Sequence, residues 1–431
     1  MATDRRKLLK MGGMAAAAAL AGCVGVEEQG TPTSGSSGGS GGSGDSGGSG
    51  ATQTTEPAVD PGTATTWYAR SSAEGETLKG VIEEFNSQSR HTVEGSDLSD
   101  LEQKTQSAIP ANQGPQIFEW AHDWVGDYYQ RGFLSDQSGN LSVSMDTFTD
   151  AAAEAAQFDG AVVGLPFAAE TVTLLYNEEY VDSPPESVSE MVDVMEEHHN
   201  PSNGTYGLGY PLNAYFMSGF AQAFGGYYFD PEADEMLGIA NEETVEGFEY
   251  ILDTFVPYMP NDTQYGPQAA AFSEGNAPFA INGPWYLGTA REKGVDVGVT
   301  SLPTADGSEP SPYTGIQLWY FAKGMGSSEA DATAAREFVE WYVTNEEQLL
   351  ANAESHGFIP VHEELAGDDD LPSSVQGFSQ AVQQGVPMPT HPRMGDVWGP
   401  LETGFGKALN GNMSVNDAMV EAEETIRSNW E

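Results

Sequence analysis

The chain has 431 residues, with 16 basic against 65 acidic side chains and a net charge of −49. That charge makes nucleic acid and anionic headgroups poor partners, while an apolar fraction of 39% and an aromatic fraction of 10% exclude an acidic disordered protein. One cysteine, Cys23, excludes structural disulfides, thiolate metal sites and catalytic thiols beyond it.

In chain order, the first predicted element is an export signal. Arg5 and Arg6 stand in the stretch Thr3 to Lys10, ahead of an apolar run, Met11 to Leu20, that is too short to span a bilayer as a helix. Small residues then precede Cys23 in Leu20-Ala21-Gly22-Cys23, which reads as a lipobox. Residues 1–22 are therefore expected to be a twin-arginine lipoprotein signal, with lipidation at Cys23 as the anchor. Such a signal implies export in the folded state.

A tether is expected over 23–62, because 17 of the 21 residues from Gly30 to Gly50 are Gly or Ser and cannot build a core. A coil of roughly 40 residues has a mean reach of ~35 Å. Loss of the signal leaves 12 basic against 64 acidic residues, a net charge of −52. Self-repulsion of that size opposes compaction unless molar salt shortens the screening length to ~3 Å, so the chain reads as built for a very salty exterior.

The remaining residues exceed what one core usually serves, so two lobes are expected. Strands are predicted at Thr63 to Arg70, Thr92 to Glu94 and Gln116 to Ala121, with helices at Gly75 to Ser89 and Asp97 to Ile109. A longer strand signal, Ala161 to Tyr176, is interrupted near Pro166 and Glu170 and has the length to cross between lobes. Helices follow at Val188 to His198, Ala214 to Phe224, Glu242 to Phe255, Glu329 to Ala353, Val375 to Gln384 and Val415 to Ser428. Strand character returns at Val295 to Leu302 and Gly315 to Ala322, and the alternation argues an α/β fold.

Chemistry-bearing motifs are few. His198 and His199 form the single histidine pair, without a carboxylate at zincin spacing, and are expected as solvated surface. No phosphate-binding or dinucleotide-binding glycine loop opens a helix in the body, and no cofactor or metal is expected. Sequons at Asn140, Asn203, Asn261 and Asn412 are compatible with surface modification. Aromatic residues beside polar groups at segment ends carry more: Trp120 and Asp123 in FEWAHDW, Trp285 in INGPWYLG, Trp398 after Gly395 and Asp396, and Tyr215 at a helix start. A carbohydrate site needs flat apolar faces for sugar C–H surfaces and fixed carboxylates or amides for hydroxyls, and these segments supply both. Trp67, Trp319 and Trp341 lie in apolar patterns and are expected in the core.

These segments resemble the maltose-binding protein group of extracellular solute-binding proteins, receptors of ABC sugar importers, and the acidic charge resembles a halophilic archaeal member. The resemblance runs from about Thr65 to Ile426 through GPQIFEWAHDWVGDYYQRGFL from Gly114, FDGAVVGLPFAAETVTLLYNEEYV from Phe158, AAAFSEGNAPFAINGPW from Ala269, VGVTSLPTADG from Val297, GVPMPTHPRMGDVW from Gly385 and the helix after Ser414. It implies a two-lobed, type II periplasmic-binding-protein fold with a hinge, lobe one being 63–168 plus 315–361 and lobe two 170–313 plus 368–431. Trp120, Asp123, Glu170, Tyr215, Trp285 and Trp398 match positions that stack on or hydrogen-bond to glucose units, and Tyr265 and Met388 match secondary contacts. This chain departs from the pattern at Arg70, Ser71 and Ser72, where maltose receptors place an Asp-Lys pair. It also departs at Trp124, at Asn213 and Ala214, and at Glu402, which replace a contacting arginine, a glutamate and a second arginine.

The implied function is a monomeric, lipid-anchored receptor on the outer face of the cell membrane, which binds maltose or maltodextrin-like oligosaccharide without turnover and delivers it to a permease. Arg70, Ser71 and Asn213 join the matched residues as expected ligand contacts. A different oligosaccharide, a polyol or a glycerol phosphodiester is the alternative ligand. An anchored glycoside hydrolase working through Asp123 and Glu170 is the alternative of another class.

Overall fold

The computed structural model describes residues 60–431, so the signal, Cys23 and nearly all of the tether lie outside the described residues. The strands β1 (Thr63–Tyr68), β2 (Thr92–Asp97), β3 (Ile117–Ala121), β4 (Gln157–Phe158), β5 (Ala161–Val162) and β6 (Gly164–Thr171) come first. They are followed by β7 (Thr173–Asn177), β8 (Leu208–Gly209), β9 (Phe279–Asn282), β10 (Val297–Thr300), β11 (Tyr313–Phe321) and β12 (Val386–Pro387).

A six-stranded sheet runs β12-β11-β3-β1-β2, with β6 on the other edge of β11. β1 is parallel to β2 and β3, whereas β11 is antiparallel to β3 and β6. β11 is an interior strand, with β6 on one edge and β3 and β12 in succession on the other, and its nearly unbroken apolar burial follows from being covered on both faces. Only Gln317 within it is not fully buried. A second sheet runs β10-β7-β9-β8. The long strand signal Ala161 to Tyr176 thus becomes three strands: β5, paired with β4 in a small two-stranded sheet, then β6 in the first sheet and β7 in the second, these last two separated by Val172 alone.

The helix Ser72–Gln88 shows why these segments settle as they do. Ser71 accepts the Glu74 N–H, the Glu74 side chain accepts the Ser71 N–H, and Leu78, Val81, Ile82 and Phe85 form its buried stripe. Two apolar cores result, one around Phe118, Trp319, Phe338 and Tyr342, the other around Phe220, Phe248, Phe255 and Phe405. Trp120 and Trp285 pack against both.

The expected helix Glu329 to Ala353 is broken at Asn345, whose side chain accepts the Gln348 N–H and starts a new helix, Glu346–His356. The expected helix Glu242 to Phe255 is regular only to Tyr250 and finishes in a π turn, Ile251–Phe255. The helix Gly395–Leu409 has no counterpart among the expected elements. His198 and His199 are half-buried rather than solvated, because their rings pack on Tyr180 at 4.9 Å and on Tyr258 at 5.6 Å. The sequon residues Asn140, Asn203, Asn261 and Asn412 are all exposed.

Candidate functional site

A cavity of about 930 Å³ opens where the two cores approach each other. The first sheet supplies one wall: Glu119 and Trp120 from β3, Asp123 from the 3-10 turn His122–Trp124, Glu170 from β6 and Gln317 from β11. The opposite wall is Asn213 and Tyr215 at the start of the helix Ala214–Ala221, Trp285 in the turn after β9, and Trp398 and Glu402 on the helix Gly395–Leu409. Met388, just past β12, also lines it.

Of the residues expected to contact ligand, Arg70, Trp120, Asp123, Glu170, Asn213, Tyr215, Trp285, Met388 and Trp398 line this cavity. Ser71 does not, because its hydroxyl is engaged as a helix cap. Tyr265 does not either; it is 41% exposed at the start of the helix Tyr265–Ser273, with its ring 6.0 Å from Phe216.

Arg70 is largely committed elsewhere. Its Nε donates to both carboxylate oxygens of Glu119 at 2.7 and 3.0 Å, and the guanidinium lies over Phe167 and Phe358 at 5.5 and 5.4 Å. Burial opposes its charge, but Glu119 and Tyr342 outweigh that and hold Arg70 more firmly protonated than usual.

The aromatic groups are preset. Trp120 stacks on Trp124 at 4.6 Å and Trp124 on Tyr128 at 5.0 Å, so one face of Trp120 is covered by protein. Trp124 therefore backs the stacking residue instead of contributing a guanidinium. Trp398 donates its indole N–H to Asp123 Oδ2 at 3.3 Å, joining the two walls.

The acids lie in poorly solvated positions. Burial, with the neighbouring charge of Glu170, pushes the Asp123 carboxyl up to about 7. Burial pushes Glu170 up to about 7 as well, against a hydrogen bond from Gln317 that acts the other way. Asp123 Oδ1 and the Tyr215 hydroxyl are buried without a hydrogen-bond partner, which is costly unless something entering the cavity satisfies them. Glu402 accepts the Ala214 N–H at 3.2 Å, so the replaced arginine leaves a carboxylate at a helix start.

His122 and Gln317 went unrecognised in the sequence. β3 pairs with β11 as far as Gln317, and β12 takes over at Thr314 on that edge. Between them, His122 Nδ1 accepts the Ile316 N–H at 3.0 Å, and the other ring nitrogen, Nε2, lies 2.9 Å from the Met388 carbonyl, to which it donates. One imidazole thus fills the gap in the ladder. Burial lowers its pKa to about 4 and keeps it neutral, as this pairing requires. The sequence signal was its place between Ala121 and Asp123 in an aromatic motif.

The cavity offers stacking faces and hydroxyl partners. Among the described residues, no group of three or more His, Cys, Asp or Glu side chains is placed to hold a metal ion. Residues 81–378 match the family of bacterial extracellular solute-binding proteins. A maltotriose-binding protein of Pyrococcus abyssi is 38% identical over 83% of this chain and 79% of its own. The maltodextrin-binding protein MdxE of Bacillus subtilis is 25% identical over 82% of this chain and 86% of its own. The structure of a Thermus thermophilus maltotriose-binding protein with maltotriose superposes with a TM-score of 0.77 at 29% identity, covering 85% of this chain and 100% of that one.

Proposed function

The chain belongs to the bacterial extracellular solute-binding protein family, and from that premise we propose that it is the maltotriose- or maltodextrin-binding receptor of an ABC importer, anchored outside the cell by lipid on Cys23. The observation that carries the reading is the pairing of indole faces with unsatisfied buried oxygens in one cavity. Trp120, Trp285 and Trp398 offer apolar faces, while Asp123 Oδ1 and the Tyr215 hydroxyl lack partners. Sugar rings present both complements, C–H surfaces and hydroxyls.

In this reading the lobes are 63–168 plus 315–361 and 170–313 plus 368–431. Sugar contacts residues on both, its greater affinity for the closed arrangement shifts the population, and the closed receptor docks on a permease. Trp120, Asp123, Glu170, Asn213, Tyr215, Trp285, Met388 and Trp398 bind the ligand, and the receptor acts as a monomer. The tether keeps it near the importer while leaving the body free to turn. The relatives named above are solute-binding proteins, and this chain binds without turnover in the same way.

Titration of tryptophan fluorescence in molar KCl against mono-, di- and oligosaccharides, with polyols and glycerol phosphodiesters alongside, tests the reading. A saturable change with maltotriose is expected, weakened by ~2 kcal/mol, or roughly 30-fold, in Trp285→Ala and in Trp398→Ala. A response to a phosphodiester alone would overturn the carbohydrate assignment. Release of reducing sugar would make the protein a hydrolase.

A further inference from the structure

We propose that Gln317 is a further ligand-contacting and positioning residue of the cleft, which holds the Glu170 carboxylate in place with its amide N–H and turns its own carbonyl towards the sugar. The inference rests on the receptor reading and deepens it. Gln317 is the one residue of β11 that is not fully buried, and it lines the cavity. A polar side chain at the centre of an apolar strand has to be satisfied locally. Its Nε2 donates to Glu170 Oε2 at 2.6 Å, and the side chain makes no other hydrogen bond among the described residues.

The strand register explains why these two side chains meet. Glu170 on β6 lies opposite Gly315 on β11, and Gln317 is two residues further along β11, on the same face. Position 315 has to be open for this. A Cβ there would sit 2.7 Å from Glu170 Oε1, 2.8 Å from its Cγ and 3.0 Å from the Met388 methyl. Glu170 therefore lies over the bare glycine, clamped at one oxygen by Gln317.

Burial and the charge of Glu74, on the helix Ser72–Gln88, oppose ionisation of this carboxylate. The Glu170 charge in turn raises the pKa of Asp123, in the turn after β3, and of the Tyr215 phenol, on the helix Ala214–Ala221. Gln317 is the one neighbour that favours the ionised form. With Glu170 held as an acceptor and Gln317 offering a second carbonyl acceptor beside it, the pair suits two adjacent hydroxyls of one pyranose ring, each donating a hydrogen bond.

Calorimetric titration with maltotriose in molar KCl between pH 6 and 9 tests this on the parent, Gln317→Leu, Glu170→Gln and the double variant. Gln317→Leu is expected to weaken binding by roughly 10- to 100-fold, to raise the pH below which affinity falls, and to cost clearly less in the Glu170→Gln background, where only the contact of its own carbonyl is left to lose. Gln317→Met takes its place in the same cycle if the leucine variant does not fold. Parental affinity and an unmoved pH profile would overturn the inference, as would losses that simply add in the double variant. A parent that binds no sugar overturns the receptor reading and this inference with it; a sugar-binding parent with unaffected variants overturns this inference alone.

Discussion

At the scale of single residues, the cleft is built from groups whose environments are unfavourable until a ligand arrives. Asp123 and Glu170 titrate near 7 when folded, against roughly 4 in an unfolded chain. Between those values the native state binds more protons, so their contribution to stability is fully present below pH 4, declines as pH rises and is gone above about 7. Sugar hydroxyls that donate to the ionised oxygens act in the opposite sense and favour the high-pH form. Affinity for maltotriose should therefore decline as pH falls through about 7, while the unliganded protein gains stability relative to Asp123→Asn over the same range. Thermal unfolding and calorimetry at matched pH values measure both, and two profiles moving in the same direction would refute the assignment.

Among secondary-structure elements, the junction of β3, β11 and β12 matters most, because one side chain replaces the missing rungs of a ladder. His122 satisfies a buried N–H and a buried carbonyl there, one residue before Asp123 and beside Met388. His122→Phe is expected to keep the volume and lose both bonds, lowering stability by about 2–4 kcal/mol. His122→Gln should recover part of it by spanning the same groups. Denaturant unfolding of the two variants checks this; equal loss in both would mean that shape alone is required.

The same junction shows how far the sequence could be read. Periodicity sufficed for the helix Ser72–Gln88, whose apolar residues recur at helical spacing, and for β11, where all nine residues but Gln317 are apolar or small. It failed for the helix Gly395–Leu409, which carries Trp398, because Gly395, Gly399, Gly404 and Gly406 with the internal Pro400 read as loop. The cleft aromatics were legible as aromatic groups next to polar ones at segment ends. Gln317 and His122 were not, since a lone amide or imidazole acquires meaning only when strand register places Glu170 or Ile316 beside it.

Across the whole molecule, the chain separates two tasks. The described residues form two large sheets and two main cores whose facing surfaces make one large cavity, with Trp120 and Trp285 packed against both cores. Chain segments pass between the sheets after β6 and between β10 and β11, and the helix Gly395–Leu409 beyond β12 packs into the second core, an arrangement suited to rotation about a hinge. The acidic surface is a further whole-molecule property: at 65 acidic against 16 basic residues, repulsion between charges is weakened only by concentrated salt. Comparisons of open and closed states therefore belong in molar KCl. The most direct test of a receptor that works by closing on sugar is solution X-ray scattering with and without saturating maltotriose under those conditions. A smaller radius of gyration with the sugar bound is the predicted result, and scattering curves that coincide at saturation would contradict it.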